Sequence, residues 1–363
     1  MALETKKISF RKEVENDFLT ELRKRINLYF SEKEISPKAG SAMVMKSIFL
    51  MSLVALTYTA LLLNFAGAFG VLALYVLLGF FVAIGVMNIA HDALHGSYVS
   101  RTAGNRILGL VMDLSGASSF YWKKEHTIDH HTFTNIAEHD ADLKVPIVLR
   151  FCPKMPYRSF HRFQHWYAPV LYSLNLIHWI YSSDLKRIYH IFKNLRSGSG
   201  NPTPVEITLL LSFKILHTLL FLAIPILTLS VPWWQVVLGY IGYLATAGLT
   251  VTTIFQLAHI VENVAFPLPD EEGKMDNSFA RHQLSTTSNF ATESRLVSFL
   301  FGGLNFQVEH HILPHICHTH LRKISPIVQS TAIEFGLPYH KNPTFFSAIR
   351  SHFRTLKKLG KNP

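Results

Sequence analysis

Cysteine is almost missing from this chain. There are two, Cys152 and Cys317, each in a polar stretch. So few isolated thiols exclude a disulfide framework and a thiolate metal site. Charge is scarce too: Asp, Glu, Lys and Arg make up 16% of the residues against 49% hydrophobic, with positive mean hydropathy. The 363 residues would allow two soluble domains, but this composition points instead to a membrane protein. No secretory signal opens the chain, because Lys6, Lys7, Arg11 and Lys12 interrupt it and no apolar region follows. There is no Gly-x-Gly-x-x-Gly dinucleotide fingerprint. Low complexity is confined to the short linker Ser197-Gly-Ser-Gly-Asn201.

The scarcity of charge is concentrated. From Ser47 to Ala90, and again from Ile215 to Val261, there is no Asp, Glu, Lys or Arg. Each run is about twice the roughly 20 residues needed to cross a bilayer. Turn-forming residues lie near the middle of each, in Asn64-Phe-Ala-Gly-Ala-Phe-Gly70 and Ser230-Val-Pro-Trp-Trp-Gln235. The expected fold is therefore an all-α integral membrane protein with four spans in two hairpins, near 47–67, 70–90, 208–229 and 234–256. Lys214 would snorkel from the start of the third span. The expected domains are an amphipathic N-terminal segment (1–45), the hairpins (46–261) with an insert at 91–206, and a C-terminal part (262–363) with a basic tail.

The net charge of +11 fits cytoplasmic surfaces facing anionic lipid; no nucleic-acid partner is expected. Lys and Arg are gathered at the N-terminus, in the 91–206 insert and in the C-terminal part, so the positive-inside rule makes both termini and the insert cytoplasmic. Val14, Phe18, Leu22, Ile26 and Tyr29 recur at helical spacing. That helix would lie on the membrane surface or pack on the cytosolic part, and Ser36-Pro37 breaks it. Ile107–Met112, apolar but too short to span, suggests part of an interfacial or re-entrant helix. The aromatic-rich stretch 160–192 suggests a pair of helices half in the headgroup layer.

The most informative residues are histidines. His126-Thr-Ile-Asp-His130-His131 holds three imidazoles in six residues. On an α-helix His126 and His130 share a face, and His131 lies about 100° further round. His91-Asp-Ala-Leu-His95 ends the second span with an i, i+4 pair, and Gln307-Val-Glu-His310-His311 puts three side chains on one stripe. Gln307 would ligate, hold a ligating water, or only hydrogen-bond a ligand. His259, at the end of the fourth span, is an ionisable group at membrane depth and a candidate ligand; the alternative is a bond to a headgroup or to Glu262. His139, His161, His165, His178 and His190 read as structural, and His315, His318 and His320 as surface or substrate-side residues. The eight favoured histidines are His91, His95, His126, His130, His131, His259, His310 and His311. With Gln307 they exceed one tetrahedral site and suit two metals. Imidazole alone permits Zn, Cu, Fe or Ni, but only a redox metal reduces dioxygen. The inward Glu and Glu-x-x-His set of soluble di-iron bundles is not present.

The three boxes, in order and spacing, resemble those of the membrane fatty acid desaturases, and Gln307 at the head of the third is similar to their front-end members. The resemblance implies oxygen-dependent insertion of a double bond into an acyl-CoA or acyl-lipid chain, with delta-5/6 chemistry, at two histidine-ligated irons beside a dry apolar tunnel. It also implies that a histidine outside the boxes completes the site, a position His259 fits. Many front-end desaturases carry a fused cytochrome b5 domain with a His-Pro-Gly-Gly motif, which this sequence lacks. The expected electron donor is therefore a separate ferredoxin or cytochrome b5. A histidine-box hydroxylase of alkanes or carotenoids is the alternative enzyme. A metal transporter or b-type cytochrome would hold its histidines within the spans, and most of these lie at span ends and in loops.

Overall fold

A computed structural model describes residues 8–12, 18–63, 67–194 and 202–361. Four helices are long and apolar enough to cross a membrane: Ser41–Leu62, Gly67–Leu94, Pro204–Thr228 and Trp233–His259. They make the chain a membrane protein. The first begins before the charge-free run because Lys46 is tolerated within the apolar sequence. The second and fourth run on to include His91 and His259, so both residues sit on helix ends. The Ser197–Asn201 linker and part of the Asn64–Gly70 turn fall outside the described residues.

The chain folds as two compact units. One comprises 39–124 and 168–253, the other 1–38, 125–167 and 254–363. In the first, the second and fourth spans meet at glycines. A Cβ on Gly79 would strike the Tyr243 carbonyl, and one on Gly239 the Tyr75 ring; only glycine lets the backbones approach so closely. Thr102–Leu114 is a regular helix whose inward face carries Gly109 and Met112. The 164–194 stretch forms one continuous run of helix with a π-type segment at Trp179–Ser183, where the sequence suggested a pair. The turn expected between two helices never forms because no glycine interrupts it, and Pro169 is accommodated within the helix.

Lys214 also departs from expectation. It does not snorkel: its ammonium donates to Asp184 Oδ2 and to the Gly116 carbonyl, both at 2.9 Å, in a buried site. A charge-paired partner nearby outweighs the longer reach to the interface. Beside it, His217 bonds through both nitrogens, Nδ1 to the Leu114 carbonyl at 3.1 Å and Nε2 to the Tyr240 hydroxyl at 2.9 Å.

In the second unit the helix Phe18–Glu32 turns Phe18, Leu22 and Ile26 into a core with Leu321, Ile324 and Val328. Burial of each such side chain contributes about 1.5–3 kcal/mol. The N-terminal helix is thus packed on protein, the second of the two expected placements. Arg25 bridges Glu21 and Glu334 across that contact. Two short parallel strand pairs, which the apolar periodicity does not reveal, complete the unit. Ser9–Arg11 pairs with Lys274–Ser278, and Ser288–Phe290 with His340–Asn342.

Candidate metal centre

The second box does not form an ordinary α-helix. Lys123–His130 is a π-helix, followed by an α-turn at His131–Phe133. A π-helix closes on i, i+5, so it is His126 and His131 that meet: their Nε2 atoms lie 3.3 Å apart. Two imidazoles bound at about 2.0–2.1 Å to one tetrahedral ion place their nitrogens about 3.4 Å apart. The 100° offset expected for His131 is therefore replaced by convergence. His130 stacks on His126, with ring centroids 5.2 Å apart.

The third box lies on the short helix Gln307–Ile312, and every residue of that helix is buried. His311 stacks on His131 at 4.2 Å and 9°, and His310 meets His131 edge-on at 4.7 Å. His259 arrives from the end of the fourth span, 4.6 Å from the His130 ring and 4.8 Å from His311. One ring nitrogen from each of His130, His259 and His311 lies within 4.8 Å of the others. Six of the eight favoured histidines thus converge within one unit. The other two, His91 and His95, lie on one turn at the end of the second span, with ring centroids 4.7 Å apart and His91 buried.

The surroundings fix which nitrogen of each ring looks inward. His130 donates its Nδ1 proton to Asp140 Oδ1 at 2.9 Å, and Asp140 is held by the backbone amides of Asn135 and Asp142. His311 donates from Nδ1 to Gln283 Oε1 at 2.9 Å, and the amide of Gln283 donates to the His131 carbonyl. His259 Nδ1 faces the Thr286 carbonyl at 3.4 Å. Each Nε2 is thereby directed into the cluster. Partners of this kind characterise metal-ligating histidines. Burial pushes the pKa of His130 down, but Asp142 and Asp140 outweigh it and raise it to about 9; a metal ion binding at Nε2 displaces the proton that this ring otherwise carries at neutral pH.

Two observations test whether the cluster fits a metal. The Nε2 atoms of His130 and His259 are buried with no hydrogen-bond partner among the described residues, and so are both amide atoms of Gln307. Buried polar atoms left this way are costly and rare. A cation at the cluster would answer both imidazole nitrogens and the Gln307 Oε1, the last directly or through a bound water. The all-imidazole donor set suits a first-row transition metal. The residues fit.

Asp140, Gln283 and Asn135 were not singled out from sequence. The only signal was the acidic pair Asp140 and Asp142 shortly after the second box; Gln283 gave none. His282 and His352, both buried, were also unmarked. Burial pushes each of them down to about 4. His161 is structural as expected, accepting from the Arg158 amide and donating to the Ile147 carbonyl. Glu309, inside the third box, is fully buried. It accepts from Tyr339 at 2.5 Å and from Asn289 at 2.8 Å, and so anchors the helix that carries Gln307, His310 and His311.

Residues 66–343 match the family model for fatty acid desaturases. Along its whole length the chain is 35% identical to the sn-1 linoleoyl-lipid 6-desaturase of Arthrospira platensis, covering 97% of that protein. It is 33% identical to the enzyme of the same name from Synechocystis sp., with 94% of both chains covered. It is 34% identical to the acyl-lipid (8-3)-desaturase of Physcomitrium patens, over 95% of this chain and 72% of that one. The buried histidine cluster and these matches together place the chain in the fatty acid desaturase family, as an oxidoreductase of fatty acid metabolism.

Proposed function

We propose that this enzyme inserts a double bond near the carboxyl end of an acyl chain esterified to a membrane lipid, as a 6-desaturase of linoleoyl groups. The observation that carries this reading is the full-length likeness to two relatives named for that reaction. The overall change removes two vicinal hydrogens from the acyl chain; dioxygen, two electrons and two further protons become two waters. When bound, a pair of iron ions at the histidine cluster supplies the dioxygen chemistry.

The protein's part is to hold ligands and tautomers. His130, His259 and His311 offer nitrogens to one ion, with Asp140, the Thr286 carbonyl and Gln283 holding their Nδ1 sides. His126, His131 and His310 face the same cluster. We assign His91 and His95 to the centre from the family's box pattern and their pairing on one helix turn, and Gln307 from its orphaned amide. Both termini and the centre are assigned to the cytoplasmic side by the positive-inside rule. Electrons come from a separate ferredoxin or cytochrome b5, since no His-Pro-Gly-Gly haem motif occurs in these residues.

The test is expression in a host whose lipids carry linoleoyl groups. Product would be analysed by double-bond location after release of the sn-1 chain from intact lipid. New unsaturation at carbon 6 in that pool is the expected result. Product confined to acyl-CoA, a bond elsewhere, or a hydroxylated chain would overturn the reading.

A further inference from the structure

We infer that the C-terminal helix Phe345–Leu359 and the segment 158–166 form one anchoring surface for anionic lipid headgroups. The observation starts in the sequence. From Lys144 to Ser183, and again from Phe335 to Lys361, there is neither Asp nor Glu. The fold joins parts of these two acid-free stretches within one unit. Gln164 donates to the Leu356 carbonyl at 2.8 Å, and Arg150 to the Leu359 carbonyl at 2.6 Å. Gly360 lies so close to the His161 carbonyl that a Cβ would not fit.

The helix is sharply two-sided. Ala348, Ser351, His352, Thr355, Leu356 and Leu359 are buried. On the other side Arg350, Arg354, Lys357 and Lys358 are exposed, and so is Lys361, two residues past the helix end. Within the helix the spacing from Arg350 is 4, 7 and 8 residues, one stripe of an α-helix. Arg354 reaches Glu262 at 3.8 Å; the other four have no ion-pair partner among the described residues. Phe346 continues the stripe and is 79% exposed. The adjoining segment adds exposed Arg158 and Arg162 with Phe160, Phe163 and Trp166, the last 76% exposed.

Exposed cations interleaved with exposed aromatics, Arg162 lying over the Phe163 ring at 4.6 Å, suit the headgroup layer, where the rings are half-buried and the cations meet phosphate. The helix is also tied to chain that has just left the apolar span Trp233–His259. His352 donates to the Ile260 carbonyl at 2.8 Å, and Ser351 accepts from the Glu262 amide at 2.9 Å. An acidic electron carrier would find the same charges. It gains nothing from four large exposed aromatic rings, so the lipid surface is the occupant we choose. The inference does not depend on which bond is desaturated.

The test uses the full-length protein in nanodiscs of phosphatidylcholine mixed with phosphatidylglycerol, and a Lys357→Gln/Lys358→Gln/Lys361→Gln variant. Native mass spectrometry counts the lipids retained on release into detergent. Wild type should keep phosphatidylglycerol in preference to phosphatidylcholine. The variant, which removes three cations, should lose that preference by about a hundredfold, since each surface cation contributes about fivefold. Unchanged enrichment overturns the inference. If enrichment is unchanged and the variant's KM for a reduced acidic carrier rises, the stripe belongs to the carrier instead. As a second readout, phosphatidylcholine brominated near the headgroup should quench wild type more than Trp166→Phe. Equal quenching would put Trp166 in water and contradict the surface independently of the lysines.

Discussion

Two buried polar clusters in this protein look alike in composition and differ in one respect. Around Lys214, every key group of one unit is answered by another: Lys214 by Asp184 and the Gly116 carbonyl, and His217 by Leu114 on one nitrogen and Tyr240 on the other. Tyr240 is in turn 2.6 Å from the Tyr181 hydroxyl. In the histidine cluster of the other unit, His130 and His259 are answered on Nδ1 only, and each buried Nε2 has no hydrogen-bond partner among the described residues. A histidine that uses both nitrogens is part of the scaffold. One that is oriented through Nδ1 and left open on Nε2 is built to receive something.

The sharpest way to break this comparison is to remove one imidazole from each cluster. His259→Ala or His130→Ala should abolish desaturation and release at least one metal ion per chain, while the protein still inserts and folds. His217→Ala should keep its metal and lose only stability, by about 1–3 kcal/mol, because Tyr240 and the Leu114 carbonyl lose a partner. Metal analysis together with thermal melting separates the two outcomes. Full metal in His259→Ala, or metal loss in His217→Ala, would erase the distinction.

A second large effect belongs to the Lys214 cluster. Lys214→Met leaves Asp184 buried beside Gly116 without its nearest cation, which should cost about 3–5 kcal/mol. Arg187, 3.5 Å from Asp184 and half-exposed, offers partial relief. Lys214→Met/Asp184→Leu should recover most of the loss, and neither variant should change the metal content. Failure of the double variant to recover, with the metal also lost, would mean that this cluster serves more than the scaffold.

Within the histidine cluster, smaller effects are expected one layer out. Asp140→Asn keeps an acceptor for His130 but removes the charge, and metal affinity should fall about 10–100-fold. Gln283→Leu deprives His311 of its acceptor and should act in the same range. Chelator competition on purified protein measures both, and affinities equal to wild type would remove these residues from the account. Gln307→Ala should weaken metal retention or turnover, whereas Gln307→His should retain part of both, because imidazole is itself a ligand. If both variants match wild type, the orphaned amide is only a packing feature.

These clusters also show what a sequence reveals. The spans were legible because long charge-free runs have few alternatives, and His259 because it stands at the end of one. The ligand candidates were legible because imidazole is rare enough that three boxes stand out. The pairing among them was not. His126 and His131 meet only because the backbone widens into a π-helix, and nothing in Lys-Lys-Glu-His-Thr-Ile-Asp-His announces that change. Asp140 and Gln283 act through contacts that span 10 and 28 residues, and such partners carry no local pattern. Lys214 departs from expectation for the same reason: its partner Asp184 lies 30 residues earlier, and nothing local in the sequence links the two.

The most direct measurement is iron per chain, taken with desaturase activity, for wild type, His259→Ala and His217→Ala purified from the same host. Close to two irons in wild type and His217→Ala, with one or none and no activity in His259→Ala, is the predicted result. An active His259→Ala protein with the wild-type iron content would contradict it.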